Sequence, residues 1–137
     1  FYNYYENFPY LKDRIVNSIE NIIKTDSFEI DYFKEEFQFT EYNVGGFYKW
    51  HKDTDDKNDV QSNRFCSIVI QLNDDYEGGK LQILDGDEIE LESGIGNLYV
   101  FYSSMIHRVT PITKGTRYSL VNWLSYKKNN EVKKSFL

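Results

Sequence analysis

The sequence has few of the features that indicate disulfide bonds, membrane insertion or secretion. It has a single cysteine, Cys66, so an internal disulfide is excluded, and this fits a reducing compartment. No apolar run approaches the roughly 20 residues of a membrane helix. No charged and apolar leader of a secretory signal follows Phe1. We therefore expect a cytoplasmic protein without a membrane partner and, because Phe1 is not methionine, a natural N-terminus further upstream.

Positive charge is also scarce in this chain. There are 16 Lys and Arg residues against 22 Asp and Glu, which gives a formal net charge of −6. Proteins that bind phosphate backbones do so largely by neutralising them with cationic side chains. The charge balance therefore disfavours a nucleic-acid partner.

Aromatic residues, in contrast, are abundant. They make up 18% of the 137 residues, with twelve Tyr and ten Phe, and this favours sheet over disorder. The length is that of one domain with one core, so we expect a single domain over residues 1–137.

One long helix is expected, over about residues 9–24. Pro9 suits the first helical turn, where its missing N–H does no harm. Five apolar residues then recur at helical spacing: Leu11, Ile15, Ile19, Ile22 and Ile23. This pattern predicts a helix packed on a sheet.

The remainder of the chain is expected to form about seven or eight short strands. The predicted strands are residues 36–42, 47–53, 64–73, 80–84, 88–91, 97–102, 107–112 and 116–125. Glycine pairs and the Asp85-Gly86-Asp87 hairpin signal separate several of them, and the polar stretch 54–63 reads as a loop. Strands of this length and spacing predict a β-sandwich or barrel.

Both histidines of the chain occur where a metal site would need them. His51 and Asp53 are two residues apart, so a strand would present them on one face. Together with His107 they match the parts of a 2-His-1-carboxylate iron site. Ordinary structural interpretations remain, because His-x-Asp is common at solvated strand ends and a lone His near an apolar strand is often structural.

Arg117 lies in the middle of a predicted strand, and Ser119 shares its face. A buried arginine needs an anionic partner, and its guanidinium binds a carboxylate in a two-pronged manner. The partner could be the anionic end of a cosubstrate or, equally, one of the 22 acidic residues of the chain.

Three runs of the sequence carry a family resemblance. They are YNVGGFYKWHKD at residues 42–53, EGGKL at residues 77–81 and HRVTPITKGTRYSL at residues 107–120. In this order and spacing they resemble the PKHD-type and prolyl-4-hydroxylase-like 2-oxoglutarate/Fe(II) dioxygenases. The resemblance covers residues 36–126, approximately, and is far more specific than any single run.

The resemblance implies a mainly β fold, the double-stranded β-helix or jelly-roll barrel, with the N-terminal helix packed on its sheet. It implies Fe(II) held by His51, Asp53 and His107. It also implies 2-oxoglutarate bound through Arg117, with help from Ser119 and the Tyr42 hydroxyl. O2 would be the second cosubstrate and ascorbate a candidate reductant. The expected reaction is hydroxylation of a protein or peptide side chain, with proline favoured, and with succinate and CO2 as co-products.

Several alternatives stay open at this point. The barrel could bind a metal or a small acid without turnover, oxidise a small molecule, or hold zinc for hydrolysis. Nucleic-acid demethylases of the same superfamily carry Arg-x-Asn-x-Thr-x-Arg, whereas residues 117–123 here lack the second arginine. The oligomeric state is left open by the sequence.

Neighbouring residues have weaker signals. Tyr48 and Trp50 could line the pocket, although aromatics before a barrel strand are more often core. The acidic loop containing Asp55, Asp56 and Asp59 is interpreted as a flexible lid rather than as extra ligands. Cys66, within an apolar strand, is expected to be a small core residue.

Overall fold

The computed structural model describes residues 9–23, 30–32 and 34–127. Within these residues it contains one α-helix and eleven β-strands. The elements are α1 (Pro9–Ile23), β1 (Ile30–Asp31), β2 (Gln38–Tyr42), β3 (Tyr48–His51), β4 (Arg64–Gln71), β5 (Glu77–Gly78), β6 (Leu81–Asp85), β7 (Asp87–Glu90), β8 (Leu98–Tyr102), β9 (Ile106–Val109), β10 (Ile112–Lys114) and β11 (Arg117–Tyr126). A short 3-10 turn, Gln61–Asn63, precedes β4.

The strands form two main sheets in which every pairing is antiparallel. The large sheet has the order β1-β11-β4-β8, and β2 also pairs with β11. The small sheet has the order β3-β9-β6-β7. A two-stranded ladder joins β10 to β5. The prediction of a mainly β fold is therefore confirmed.

The central strands of the large sheet, β4 and β11, are covered on both faces, and this explains why they are almost continuously buried. One face packs against α1 through Ile15 and Ile19, around a core that includes Ile68 and Leu124. The other face packs against the small sheet through a second cluster: Val69, Leu81, Ile83, Phe101 and Val109. Side chains therefore alternate along β4 and β11 between the helix and the space between the sheets.

Helix α1 confirms the prediction of a helix that packs on a sheet. It ends at Ile23 in the described residues, and Lys24 lies outside them. Ile15 and Ile19 are buried, but Ile22 is exposed, so the buried stripe is narrower than the apolar pattern of the sequence. No helix in residues 9–23, 30–32 or 34–127 is long and apolar enough to cross a bilayer.

The predicted number of strands was too low. Three of the observed strands, β1, β5 and β10, have only two or three residues, which is too short for an alternating pattern to be visible. The predicted strand 107–112 is divided into β9 and β10 around Pro111, whose ring nitrogen cannot donate to a sheet ladder. The hairpin at Asp85-Gly86-Asp87 is confirmed, and Gly86 has the positive φ of 76° that the turn requires.

Candidate active site

Two imidazoles and one carboxylate meet at the edge of the small sheet. His51 ends β3 and pairs directly with His107 of β9, so the two ring centroids lie 4.2 Å apart. Asp53 Oδ1 is 3.3 Å from His51 Nε2 and 3.4 Å from His107 Nε2. One donor atom from each residue lies within 4.8 Å of the others, so the group could hold a metal ion.

The backbone fixes which nitrogen each imidazole presents. His51 Nδ1–H donates to Lys49 O at 2.7 Å, and His107 Nδ1–H donates to Met105 O at 2.9 Å. A carbonyl oxygen only accepts, so each Nδ1 carries a hydrogen. Nε2 is therefore the nitrogen that each ring presents to Asp53, and it is the atom that a metal-binding imidazole would use.

Strand alternation does not explain the position of Asp53. We predicted that His51 and Asp53 would share the face of one strand, but β3 ends at His51 and Asp53 lies beyond it. Its backbone N–H instead donates to Ser103 O at 2.8 Å. The carboxylate is held from the large sheet, where Ser67 Oγ and Trp123 Nε1 donate to Oδ2 at 2.5 and 3.0 Å. Oδ1 is thereby left facing the imidazoles.

The electrostatics keep this carboxylate ionised. Burial of Asp53 acts to raise its pKa, but hydrogen bonds with His107, His51 and Ser67 outweigh the burial and hold the pKa well below its usual range. An ionised oxygen is the form that a metal ion requires.

Arg117 is buried in the same cavity, at 3% exposure, and no carboxylate of the described residues pairs with it. Nη1 donates to Ser119 Oγ at 3.3 Å, and the guanidinium lies 5.7 Å from the ring centroid of Tyr42. Nε has no hydrogen-bond partner in the part of the chain that the structure describes. A buried cation with an unused donor is costly unless an anion joins it, so this end of the cavity suits a carboxylate ligand.

The strand pairing brings further hydroxyl groups to Arg117. Tyr42 is opposite Arg117 across β2 and β11, and Thr40 is opposite Ser119, with their two hydroxyls hydrogen-bonded. Burial raises the pKa of the Tyr42 phenol although Arg117 acts to lower it. The phenol is therefore protonated at neutral pH and can donate a hydrogen bond.

All six residues singled out from the sequence line one cavity of about 260 Å³. They are Tyr42, His51, Asp53, His107, Arg117 and Ser119. The cavity is also lined by residues that sequence reasoning missed, including Gln38, Thr40, Arg64 and Trp123. Alternation along β11 was the available signal for Trp123, because positions 117, 119, 121 and 123 share a face.

The weaker predictions have mixed outcomes. Tyr48 lines the cavity and stacks on His51, with 3.7 Å between the ring centroids. Trp50 does not line the cavity. The Arg108 guanidinium lies over its indole, with Cζ 4.3 Å from the ring centroid. Cys66 is buried in the core, as predicted. The lid role of the loop after Asp53 stays a prediction.

Comparison with known proteins defines the class. The profile of the 2OG-Fe(II) oxygenase superfamily matches residues 37–125, and the chain belongs to this superfamily. Membership implies Fe(II), 2-oxoglutarate and O2 as the cofactor and cosubstrates.

Similar sequences include PKHD-type hydroxylases. One from Stenotrophomonas maltophilia is 32% identical over 106 residues, which are 73% of this chain and 47% of that protein. Another from Prochlorococcus marinus is 30% identical over 123 residues, covering 88% of this chain and 56% of that protein. The chain thus spans about half the length of the curated relatives it matches.

Similar structures support the same fold. A prolyl-4-hydroxylase of Pseudomonas putida aligns with a TM-score of 0.63 at 28% identity, over 88% of this chain and 64% of that one. A Trichoplax adhaerens prolyl hydroxylase, solved with a hypoxia inducible factor peptide fragment, aligns with a TM-score of 0.68 at 17% identity, over 88% and 58%. The jelly-roll prediction is confirmed by this likeness.

Proposed function

We propose that this chain is the catalytic core of an Fe(II)- and 2-oxoglutarate-dependent dioxygenase. Its proposed reaction is hydroxylation of a protein or peptide side chain, with proline the favoured residue. The observation that carries the proposal is the buried Arg117, which has no carboxylate partner among the described residues and shares a cavity with three metal-ligand donors. The single catalytic domain over residues 1–137 and its cytoplasmic location are kept as predictions.

The three donors that meet at the edge of the small sheet fit Fe(II). His51, Asp53 and His107 supply two imidazole nitrogens and one carboxylate oxygen, the combination typical of non-haem iron oxygenases. The two Nε2 atoms and Asp53 Oδ1 face one another, so these three residues would hold the metal. When bound, iron with 2-oxoglutarate and O2 supplies the oxidising chemistry, and 2-oxoglutarate ends as succinate and CO2.

The residues around Arg117 would bind the far carboxylate of 2-oxoglutarate. The guanidinium offers an unused Nε–H, while Ser119 and the protonated Tyr42 phenol add neutral donors. Both ends of 2-oxoglutarate would then be fixed, one at the metal and the other at Arg117. This orientation leaves the opposite part of the cavity for the substrate C–H bond.

The identity of the substrate rests on the relatives. The Pseudomonas putida neighbour is named a prolyl-4-hydroxylase, and the curated relatives are named hydroxylases, which supports a side-chain hydroxylase over a binding-only barrel. A small-molecule substrate is the main alternative.

Mass spectrometry tests the proposal directly. The protein is incubated with Fe(II), 2-oxoglutarate and ascorbate, and with a panel of proline-containing peptides, matched peptides in which alanine replaces proline, and free amino acids. We expect succinate formation, and one added oxygen on a proline-containing peptide. Oxygen added only to free amino acids would replace the protein-substrate assignment, and a complete lack of succinate and of oxidised product across the panel would contradict the enzyme proposal.

A further inference from the structure

The position of Asp53 is determined by the opposite sheet. Its carboxylate Oδ2 accepts hydrogen bonds from Ser67 of β4 and Trp123 of β11, while both imidazoles belong to the small sheet. Because Asp53 lies outside β3, its own strand does not fix the carboxylate torsion. The two donors on Oδ2 therefore decide which oxygen faces His51 and His107.

Trp123 is itself held in place by an arginine that belongs to an ion pair. The Arg64 guanidinium lies over the indole, with Cζ 3.7 Å from the ring centroid. Arg64 Nη1 also donates to the backbone carbonyl of Asp53 at 3.2 Å. Its remaining nitrogens bind Glu35 in a two-pronged pair, with Nε to Oε2 at 2.9 Å and Nη2 to Oε1 at 2.6 Å. This arrangement restricts the indole and the Asp53 backbone together.

We infer that Trp123 and Ser67 are positioning residues for the metal, which they reach only through Asp53. This inference rests on the proposed function for the identity of the metal. With Oδ2 occupied by an N–H and an O–H donor, Asp53 offers Oδ1 alone and in a fixed direction. Such partners of a metal ligand reduce the conformational freedom that is lost on binding, and removing one typically lowers metal affinity about 10- to 100-fold.

The chain supplies a matched control for each positioning residue. Trp50 also lies under an arginine, Arg108, but it has no bond to Asp53 and does not line the cavity. Ser125 is a buried serine of the large sheet whose Oγ has no partner among the described residues. Trp123→Phe and Trp50→Phe therefore each remove an indole N–H but keep a ring beneath the arginine. Ser67→Ala and Ser125→Ala each remove a buried hydroxyl.

The experiment measures Mn(II) binding, as a stand-in for Fe(II), by calorimetry on purified proteins whose folding is checked by circular dichroism. We expect the Kd for Mn(II) to rise about tenfold in Trp123→Phe and in Ser67→Ala. The Trp50→Phe and Ser125→Ala proteins should bind within twofold of the wild type. A merely structural role for Trp123 or Ser67 would lower the melting temperature without changing the Kd measured on the folded protein.

His107→Ala separates the inference from the function on which it rests. If His107→Ala loses Mn(II) binding while both Trp123→Phe and Ser67→Ala bind like the wild type, the inference is overturned and the metal site stands. If Trp123→Phe fails to fold, Ser67→Ala decides alone. If the wild-type chain does not bind Mn(II) or Fe(II), the proposed function and the inference are both overturned.

Discussion

The two sheets of this protein contribute to the cavity in different ways. The small sheet brings the imidazoles together through one register pair, His51 opposite His107. The large sheet presents a row of side chains along β11, in which Arg117 and Ser119 line the cavity and Trp123 donates to Asp53. Asp53 is the one metal-ligand candidate that depends on both sheets, since its partners come from each.

The two sheets also differ in how deeply they are buried. The small sheet is thin and partly exposed at its edge, where strand β7 is exposed and acidic. Strands β4 and β11 of the large sheet are buried on both faces, so their polar groups must be satisfied within the protein or by a ligand. A hydrogen-bond donor without a partner in these buried strands is therefore stronger evidence for a bound ligand than one in the small sheet.

Removing an imidazole from the small sheet should have the largest effect. In His107→Ala only one nitrogen ligand remains, so we expect metal affinity to fall by more than about a hundredfold, beyond the usual effect of losing a supporting residue. Iron-dependent succinate formation should disappear with it. Calorimetry with Mn(II) checks this, and near-normal affinity would show that another residue holds the metal.

Replacing Arg117, the buried cation of the large sheet, should weaken the binding of 2-oxoglutarate but not the binding of the metal. We expect Arg117→Ala to weaken 2-oxoglutarate binding by about 3 kcal/mol, roughly a hundredfold in Kd, which is the order of a buried charge-assisted pair. Arg108→Ala is the control, because that side chain pairs at the surface with Glu88. Equal 2-oxoglutarate affinity in both variants, measured by calorimetry in the presence of Mn(II), would reject the role of Arg117.

The close approach of Gly79 to Arg117 can be tested through stability. A Cβ at Gly79 would lie 2.3 Å from Ile112 Cδ1 and 3.1 Å from Arg117 Cδ, whereas a Cβ at Gly86 would meet nothing within 4 Å. Both glycines have positive φ, so the backbone strain is shared. We expect Gly79→Ala to destabilise the protein by about 1–3 kcal/mol more than Gly86→Ala, because of overpacking. Urea denaturation measures the difference, and equal stabilities would contradict the packing.

The sequence singled out the candidate metal ligands better than the residues that support them. His51, Asp53 and His107 could be singled out because the chain has only two histidines and because short motifs surround them. Ser67 and Trp123 looked like ordinary members of apolar strands, since their role depends on pairing between β4 and β11. The strand alternation expected for Asp53 was wrong for the same reason: its partners are distant in sequence.

The smallest effect is expected at Cys66, in the helix-side core of the large sheet. Burial raises the pKa of its thiol to about 12, so the reactive thiolate is scarce at pH 8.5. Iodoacetamide should therefore modify Cys66 slowly in the native protein and rapidly in urea. Rapid modification without denaturant, followed by mass spectrometry, would show that this core opens readily.

The convergence of both sheets on one ligand is tested most directly by 2-oxoglutarate binding with and without metal. Calorimetry under anaerobic conditions compares the metal-free protein with the protein loaded with Fe(II). If one end of 2-oxoglutarate binds the metal held by the small sheet and the other binds Arg117, one molecule should bind per chain, at least about tenfold more tightly with Fe(II) present. Equal affinity in the two titrations, or no binding in either, would contradict the account.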